Sequence, residues 1–388
     1  MSEPCLWERA TVPILVAGSA VRTALGDTTA TFDALVADRS GVGPLRHADA
    51  DHHRVKAGYH LAGAGAGTAE RRFLAGAALA LCVTEALADA GVPAGARLPA
   101  VIGTGLRELC EVERWGRDGA VFAAERLHFG PALLAAVDRI NGVLTVCNAC
   151  SAGGYALALA QDMLELGDAD AVVVGAADTM TCSMLAMIGR FTERPVDQLR
   201  PFDADSAGVL LGEGAAALVL VPDDTLARPG AVRVLGTGLS CDAFHETAPD
   251  AGGIGRAMTD AFARAGRTPR QVDLVLAHGT GTALNDPLEA AVLREVFGDT
   301  GAGPLVTAIK GGIGHTSGVA ALHSVAVAAE SMRRGLVPPV VGLREPLPDG
   351  KGLRLVRGAP VAARPDVAMV NAFGFGGVNA VTVLEAVR

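Results

Sequence analysis

Short apolar runs rich in Val, Leu and Ala alternate along the chain with longer Ala-rich stretches whose apolar positions recur at helical spacing. This is the pattern of an α/β protein whose sheets are mostly buried. The spacing predicts helices over 69–90, 151–166, 254–265, 286–297 and 319–334. Strands are predicted over 100–103, 143–146, 171–174, 215–221, 232–236, 274–277 and 367–370, the last running into an aromatic-glycine turn and another strand. The stretch PDDTLARP at 222–229 reads as a seam that divides the chain into 1–228 and 229–388. VIGTG at 101–105 and LAHGTG at 276–281 echo one another, but with 49 glycines such matches arise easily by chance.

Composition narrows the classes. The 388 residues are 50% hydrophobic and 19% charged, enough for one large core or two fused smaller ones. The longest apolar runs, such as AVVVGAA from Ala171, are broken well before the roughly 20 residues a membrane span needs. The first residues carry acids ahead of their apolar stretch and lack a basic region, so no signal peptide is read and a cytoplasmic protein is expected. The seven cysteines (5, 82, 110, 147, 150, 182 and 241) are odd in number and scattered, which predicts mostly reduced thiols. A net charge of -9 with no dense basic stripe argues against nucleic acid. Lysine occurs only at 56, 310 and 351, so Lys310, inside a glycine-rich turn, stands out.

In GVLTVCNACSAGGYALALAQ a strand meets a sharp turn and then a long helix, with Cys150 at the turn. The helix start favours thiolate over thiol, and the backbone N–H at such an elbow serves as an oxyanion donor. Ser151, Ala152, Gly153 and Gly154 are small, leaving room for a substrate chain to reach the sulfur. A single cysteine is more often core than nucleophile, and Cys147-Asn-Ala-Cys150 is formally a C-x-x-C pair. The flanks do not resemble a thioredoxin unit, and Cys147 reads as a strand residue pointing inward. His278 and His315 each follow a strand and a glycine-rich turn, at the strand end where open α/β sheets place ligands. Together with the Cys150 elbow they suggest one site. They lack metal-ligand spacing and clustered carboxylate or Cys partners, so no metal is indicated.

These segments resemble the β-ketoacyl synthases, in the branch that holds the elongating fatty-acid and polyketide enzymes. The resemblance rests on NACSAGG from Asn148, RPFDADSAGVLLGEGAAALVL from Arg200, AHGTGTALND from Ala277, IKGGIGHTSG from Ile309 and NAFGFGGVN from Asn371, with SCDAFHETAP from Ser240 between them. It implies a thiolase-like α/β fold, two similar halves in five αβαβα layers. It also implies a 3-oxoacyl-[acyl-carrier-protein] synthase: Cys150 accepts an acyl chain from a phosphopantetheine thioester, and His278 and His315 promote decarboxylation of a malonyl-type extender and stabilise the enolate. Lys310 would hold that network, with Asp286 an acid beside the His278 loop. Thr280 and Thr282 would bond the pantetheine arm. The acyl oxygen would lie between the N–H groups of Cys150 and Phe375, with Phe375 also the gate and Gly374 and Gly376 letting backbone approach the ligand. The resemblance implies no resident cofactor, since phosphopantetheine arrives on the carrier protein. It implies a homodimer, or a heterodimer with a chain-length-factor-like subunit. Arg71 and Arg72 would be candidates for carrier docking, or simply a solvated helix face.

The chain also departs from the family. Ser324, preceded by His323, stands where the fatty-acid branch carries a glutamate, a change that leans towards polyketide-like chemistry. The segment 106–141 is short and unusually charged, leaving the acyl pocket open. Gly281 replaces a serine, and Val378 a threonine. Competing readings are an acyltransferase of this fold that passes the acyl group to an amine, hydroxyl or thiol without condensation, and a non-catalytic partner subunit. Such subunits usually lose the cysteine, so Cys150 counts against the latter.

Overall fold

Neighbouring residues of one strand enter different cores. Val172 and Val174 join one apolar cluster, whereas Val173 and Ala177 join another, so the sheet is buried on both faces. The computed structural model describes residues 13–46, 50–64, 72–191, 194–222, 230–298 and 301–388. Five strands come from the first half: β1 (Ile14–Arg22), β2 (Leu98–Gly103), β3 (Ile140–Val146), β4 (Val172–Asp178) and β5 (Gly214–Pro222). The second half supplies β6 (Val232–Cys241), β7 (Leu274–Leu276), β8 (Leu305–Thr307), β9 (Arg354–Leu355), β10 (Val367–Gly374) and β11 (Val378–Ala386). They form one 11-stranded ladder in the order β9-β8-β7-β10-β11-β6-β1-β5-β4-β2-β3. From the β1/β6 junction outward, β1-β5-β4-β2-β3 is repeated as β6-β11-β10-β7-β8, parallel and antiparallel pairings included. The Gly-Thr-Gly echo falls at the ends of β2 and β7, equivalent strands of this repeat.

The helices are α1 (Thr28–Val36), α2 (Leu74–Asp89), α3 (Leu109–Asp118), α4 (Phe129–Ala136), α5 (Ala152–Leu166), α6 (Cys182–Phe191), α7 (Ala251–Ala265), α8 (Asn285–Phe297), α9 (Lys310–Ile313) and α10 (Ala320–Arg334). Leu79, Leu87 and Leu133 of α2 and α4 cover one outer face of the sheet. Leu157, Leu164, Leu322 and Val325 of α5 and α10 fill the space between the halves. Ile254, Met258 and Leu293 of α7 and α8 cover the other outer face. These are the five αβαβα layers, and α5 and α10 form the middle one. A fourth cluster, including Val55, Tyr59, Met180, Ile188 and Leu211, forms a cap of irregular segments around α6.

Helix ends follow local chemistry. Asp250 accepts the Gly253 N–H at 2.7 Å to start α7, and Gly266, at φ +58°, ends it. The helix expected from 151 starts at Ala152, after a 3₁₀ turn over Ala149–Ser151. Of the helix expected over 69–90, the described part runs Leu74–Asp89, and residues 69–71 lie outside the described set, as does 223–229 of the seam. The sequence pattern did not single out β1, at the centre of the sheet, or α3, in the charged segment after Leu106.

Candidate active site

The turn before α5 is held in an uncommon conformation: Ala149 has φ +47°, and Ser317, at the equivalent turn before α10, has φ +50°. Small residues follow both turns because the two helices meet there. A Cβ on Gly153 would lie 2.8 Å from the Gly318 carbonyl, and one on Gly154 would lie 2.6 Å from the Ala380 Cβ. That room is taken by neighbouring elements of the fold, not by a substrate channel. Cys150 is buried, 3.1 Å from His315 Nε2. The expectation of a resting thiolate is corrected. Burial pushes the Cys150 thiol up to about 11, outweighing the nearby Lys310 charge and the N–H groups of Phe375 and Cys150, which favour the anion. The resting pair is a thiol beside a neutral imidazole.

His278 follows β7 directly, whereas His315 is reached from β8 through α9 and is fixed by a bridge to Leu211. The two rings meet edge to face, 5.4 Å between centroids at 88°. Burial, then the Lys310 charge, hold both imidazoles well below the usual histidine range. The Phe373 N–H donates to His278 Nδ1 at 3.3 Å, and Lys310 Nζ stands 3.3 Å from the same nitrogen while donating to the His278 carbonyl. Nδ1 is therefore the acceptor, and the ring proton sits on Nε2. Lys310 itself is buried, and desolvation lowers its ammonium to about 8, opposed mainly by Glu289.

The frame is built by Asp286, expected from the sequence, and by two carboxylates the sequence did not mark, Glu289 and Asp178. Glu289, fully buried on α8, accepts the His278 N–H at 2.7 Å, the Gly279 N–H at 2.8 Å and the Asn371 amide at 3.0 Å. One turn earlier, Asp286 accepts the N–H groups of Phe202 (2.7 Å), Thr280 (2.9 Å) and Gly281 (3.0 Å). Desolvation raises both acids despite these bonds. The signal for Glu289 was its i+3 spacing from Asp286, which puts both on one face of a helix. At the end of β4, Asp178 accepts the Thr104 hydroxyl (2.6 Å) and the N–H groups of Gly105 (2.8 Å), Leu106 (2.9 Å) and Gly318 (2.7 Å). Burial pushes its carboxyl up to about 6.

The turn between β10 and β11 crosses the mouth of the site. Phe375 is partly exposed while its N–H points at Cys150. Gly374 lets the strand end pass Ser151, since a Cβ there would stand 3.1 Å from the Ser151 Oγ. Gly376 (φ +83°) and Gly377 (φ +77°) both need left-handed backbone. Asp242 donates its N–H to the Gly377 carbonyl at 3.0 Å, and the Gly376 N–H bonds the Glu246 carbonyl at 2.8 Å. Thr280 and Thr282 share a 2.9 Å hydrogen bond at the edge of the same site. Cys150, His278, His315, Lys310, Asp286, Thr280 and the 374–376 turn are thus brought into one constellation.

Other expectations come out differently. Cys147 is exposed, just past β3, and does not point into the core. His323 is a satisfied core histidine: Nε2 bonds the Ala215 carbonyl at 3.2 Å, Nδ1 faces Thr316 Oγ1 at 3.1 Å, and burial lowers it to about 4. Arg72 pairs with Glu111 at 3.1 Å while its side chain stays partly exposed, and Arg71 lies outside the described residues. The charged segment folds as α3, with Glu111 buried beneath Arg72 and Arg114. Among the described residues no group of three or more His, Cys, Asp or Glu could hold a metal ion, and no helix is long and apolar enough to cross a membrane.

The chain belongs to the β-ketoacyl synthase family. Residues 11–225 match the family's N-terminal domain and residues 231–344 its C-terminal domain. Nodulation protein E of Rhizobium meliloti is 36% identical over 249 residues, 63% of this chain and 62% of that protein. The 3-oxoacyl-[acyl-carrier-protein] synthase 2 of Rhizobium meliloti (strain 1021) is 35% identical over 254 residues, 62% of this chain and 60% of that protein. The matches thus span about three-fifths of these curated relatives. Among solved structures, the ishigamide ketosynthase/chain length factor superposes with a TM-score of 0.88 at 29% identity, covering 97% of this chain and 100% of that one. A β-ketoacyl synthase from Burkholderia phymatum STM815 shares the fold at a TM-score of 0.85 and 24% identity, covering 97% and 100% of the two chains.

Proposed function

We propose that the chain is a 3-oxoacyl-[acyl-carrier-protein] synthase, taking an acyl group onto Cys150 and joining it to a malonyl-type unit by decarboxylative condensation in fatty-acid or polyketide synthesis. The observation that carries this reading is the pairing of Cys150 with His315 beside a His278 whose Nε2–H is the free donor. In the first half-reaction His315 Nε2 takes the Cys150 proton as sulfur bonds the acyl carbon, and passes that proton to the pantetheine sulfur as its C–S bond breaks. The N–H groups of Cys150 and Phe375 face the oxyanion. In the second, carbon dioxide leaves the extender and its electron pair becomes an enolate. The His278 Nε2–H donates to the enolate oxygen, so no strong base is needed. The enolate carbon then bonds the acyl carbon, and the Cys150 C–S bond breaks to release a thiolate that takes a proton from solvent to return the thiol.

The acyl group reaches Cys150 as a carrier-protein thioester, and phosphopantetheine is part of that substrate, not a resident cofactor. The partner subunit is a second copy or a chain-length-factor-like chain. The support is that β3 ends the sheet with its outer edge unpaired among the described residues and Leu144 half-exposed, while a similar solved protein is a ketosynthase/chain length factor. The test is intact-mass detection of an acyl adduct across a panel of acyl-carrier donors, followed by release of carbon dioxide from malonyl-carrier protein. Both are expected in the wild type, with the adduct absent in Cys150→Ala and retained in Cys147→Ser. Acylation without carbon dioxide release would instead support the non-condensing acyltransferase.

A further inference from the structure

The two imidazoles of the site are held by different means. His278 takes a hydrogen bond at Nδ1 from the Phe373 N–H, whereas among the described residues His315 Nδ1 has no hydrogen-bond partner, and the only hydrogen bond of its ring joins Nε2 to Cys150. The place of the His315 ring is therefore set by the turn that carries it. Backbone bonds dock this turn on the segment leading into β5: the His315 N–H donates to the Leu210 carbonyl, and the Gly212 N–H to the His315 carbonyl, both at 2.9 Å. The contact is close, since a Cβ on Gly212 would stand 2.2 Å from the Ile313 carbonyl oxygen and 3.0 Å from Thr316 Cγ2. Ser317 nevertheless holds φ +50°, which a serine keeps only where its surroundings fix it. Two side chains tie the turn down. On one side Asp178 accepts the Gly318 N–H at 2.7 Å. On the other stands His323, seven positions beyond Thr316, about two helical turns, so that its ring points back at the Thr316 hydroxyl. His323 Nε2 faces the Ala215 carbonyl at 3.2 Å, with the Arg22 carbonyl beside it. A carbonyl only accepts, so Nε2 carries the proton, Nδ1 is an acceptor, and the Thr316 hydroxyl donates to it at 3.1 Å. The ring is wedged in this pose, because a Cβ on Gly214 would lie 2.4 Å from its Cε1. Burial keeps it neutral, at about 4, so Nδ1 remains an acceptor at neutral pH.

We propose that His323 is a positioning residue for the acylation of Cys150: through the Thr316 hydroxyl it fixes the His315 turn against the end of β5 and so keeps His315 Nε2 on the Cys150 thiol. This rests on the reading of Cys150 as the acyl carrier. Thr316 and His323 are both buried, away from the mouth of the site, so the bond between them acts on proton transfer and not on substrate binding. The leverage is large, since a misplacement of about 1 Å costs on the order of a hundredfold in rate.

The test uses the full chain with three substitutions. Thr316→Val keeps the volume and removes the hydroxyl, His323→Leu removes both ring bonds, and His323→Asn puts an acceptor oxygen where Nδ1 stands. Two readouts are compared: acylation of Cys150 by an N-acetylcysteamine thioester, followed by intact mass, and alkylation of Cys150 by iodoacetamide at pH 7 in the same variants carrying Cys147→Ser. The maximal acylation rate is expected to fall roughly tenfold or more in Thr316→Val and His323→Leu, with KM for the thioester within about twofold and His323→Asn within about threefold of wild type. Combining Thr316→Val with His323→Leu should cost no more than either alone, because both remove one bond. Alkylation should fall in parallel. Wild-type acylation and alkylation in Thr316→Val overturn the proposal whether or not His323→Leu folds, as does a change confined to KM or a loss that adds in the double variant. If wild-type Cys150 accepts no acyl group, the synthase reading fails, and the alkylation rates still decide whether His323 positions His315.

Discussion

Lys310 offers the sharpest test of how the site is held. Its ammonium is buried and titrates at about 8 where a free lysine titrates at 10.5. At about 1.4 kcal/mol for each pH unit, keeping it charged in the fold costs roughly 3 kcal/mol. Lys310→Met keeps the volume and removes the charge, but leaves the His278 carbonyl without this donor, a loss of about 1–2 kcal/mol. The variant is therefore expected to be about 1–2 kcal/mol more stable than wild type at pH 7 while losing condensation. Because the folded-state value lies below the unfolded one, the unfolded chain binds the extra proton between pH 8 and 10.5 and wild-type stability rises through that window. The gap should then close, and reverse, by pH 10.5. Urea unfolding midpoints of the two proteins across this range measure it, since other groups titrate alike in both. A variant less stable than wild type at pH 7, or a difference that does not change between pH 7 and 10.5, would refute the reasoning.

Two further outcomes separate frame from gate. Gly377→Ala puts a Cβ 1.6 Å from Asp242 Oδ1 at φ +77°, whereas a Cβ on Gly376, at φ +83°, meets nothing within 4 Å. Cys150 acylation should collapse in Gly377→Ala and persist in Gly376→Ala, which carries only the left-handed backbone cost of about 1 kcal/mol; equal effects would mean that Asp242 does not set the turn. Asp178→Asn cannot accept all four of its donors, so it should lose about 1–3 kcal/mol in a urea titration, and an unchanged midpoint would show that water replaces the missing acceptor.

The residues read most directly from the sequence were those whose chemistry is carried by local motifs. Cys150, His278, Lys310 and His315 sit in turns whose glycines and flanking strands mark them. The residues that position them were harder to see because their partners are remote. Asp178 bonds Gly318, 140 positions away, and Glu289 reaches Asn371, 82 positions on. β1 escaped because ILVAGSAVR does not alternate cleanly, and it lies in the middle of the sheet. α3 escaped for the opposite reason. Glu111, which polarity assigns to solvent, is buried under two arginines, and pairing reverses the usual rule. Cys147 was assigned inward by the apolarity of its strand, but β3 is the last strand of the sheet.

The proton on His278 is placed largely by the amide of Phe373, a group that every residue except proline supplies. Side-chain substitution at 373 can reshape the packing around the ring without changing which nitrogen carries hydrogen. The tautomer is thereby protected from ordinary mutational drift, and Phe373→Pro is the change that would take that bond away.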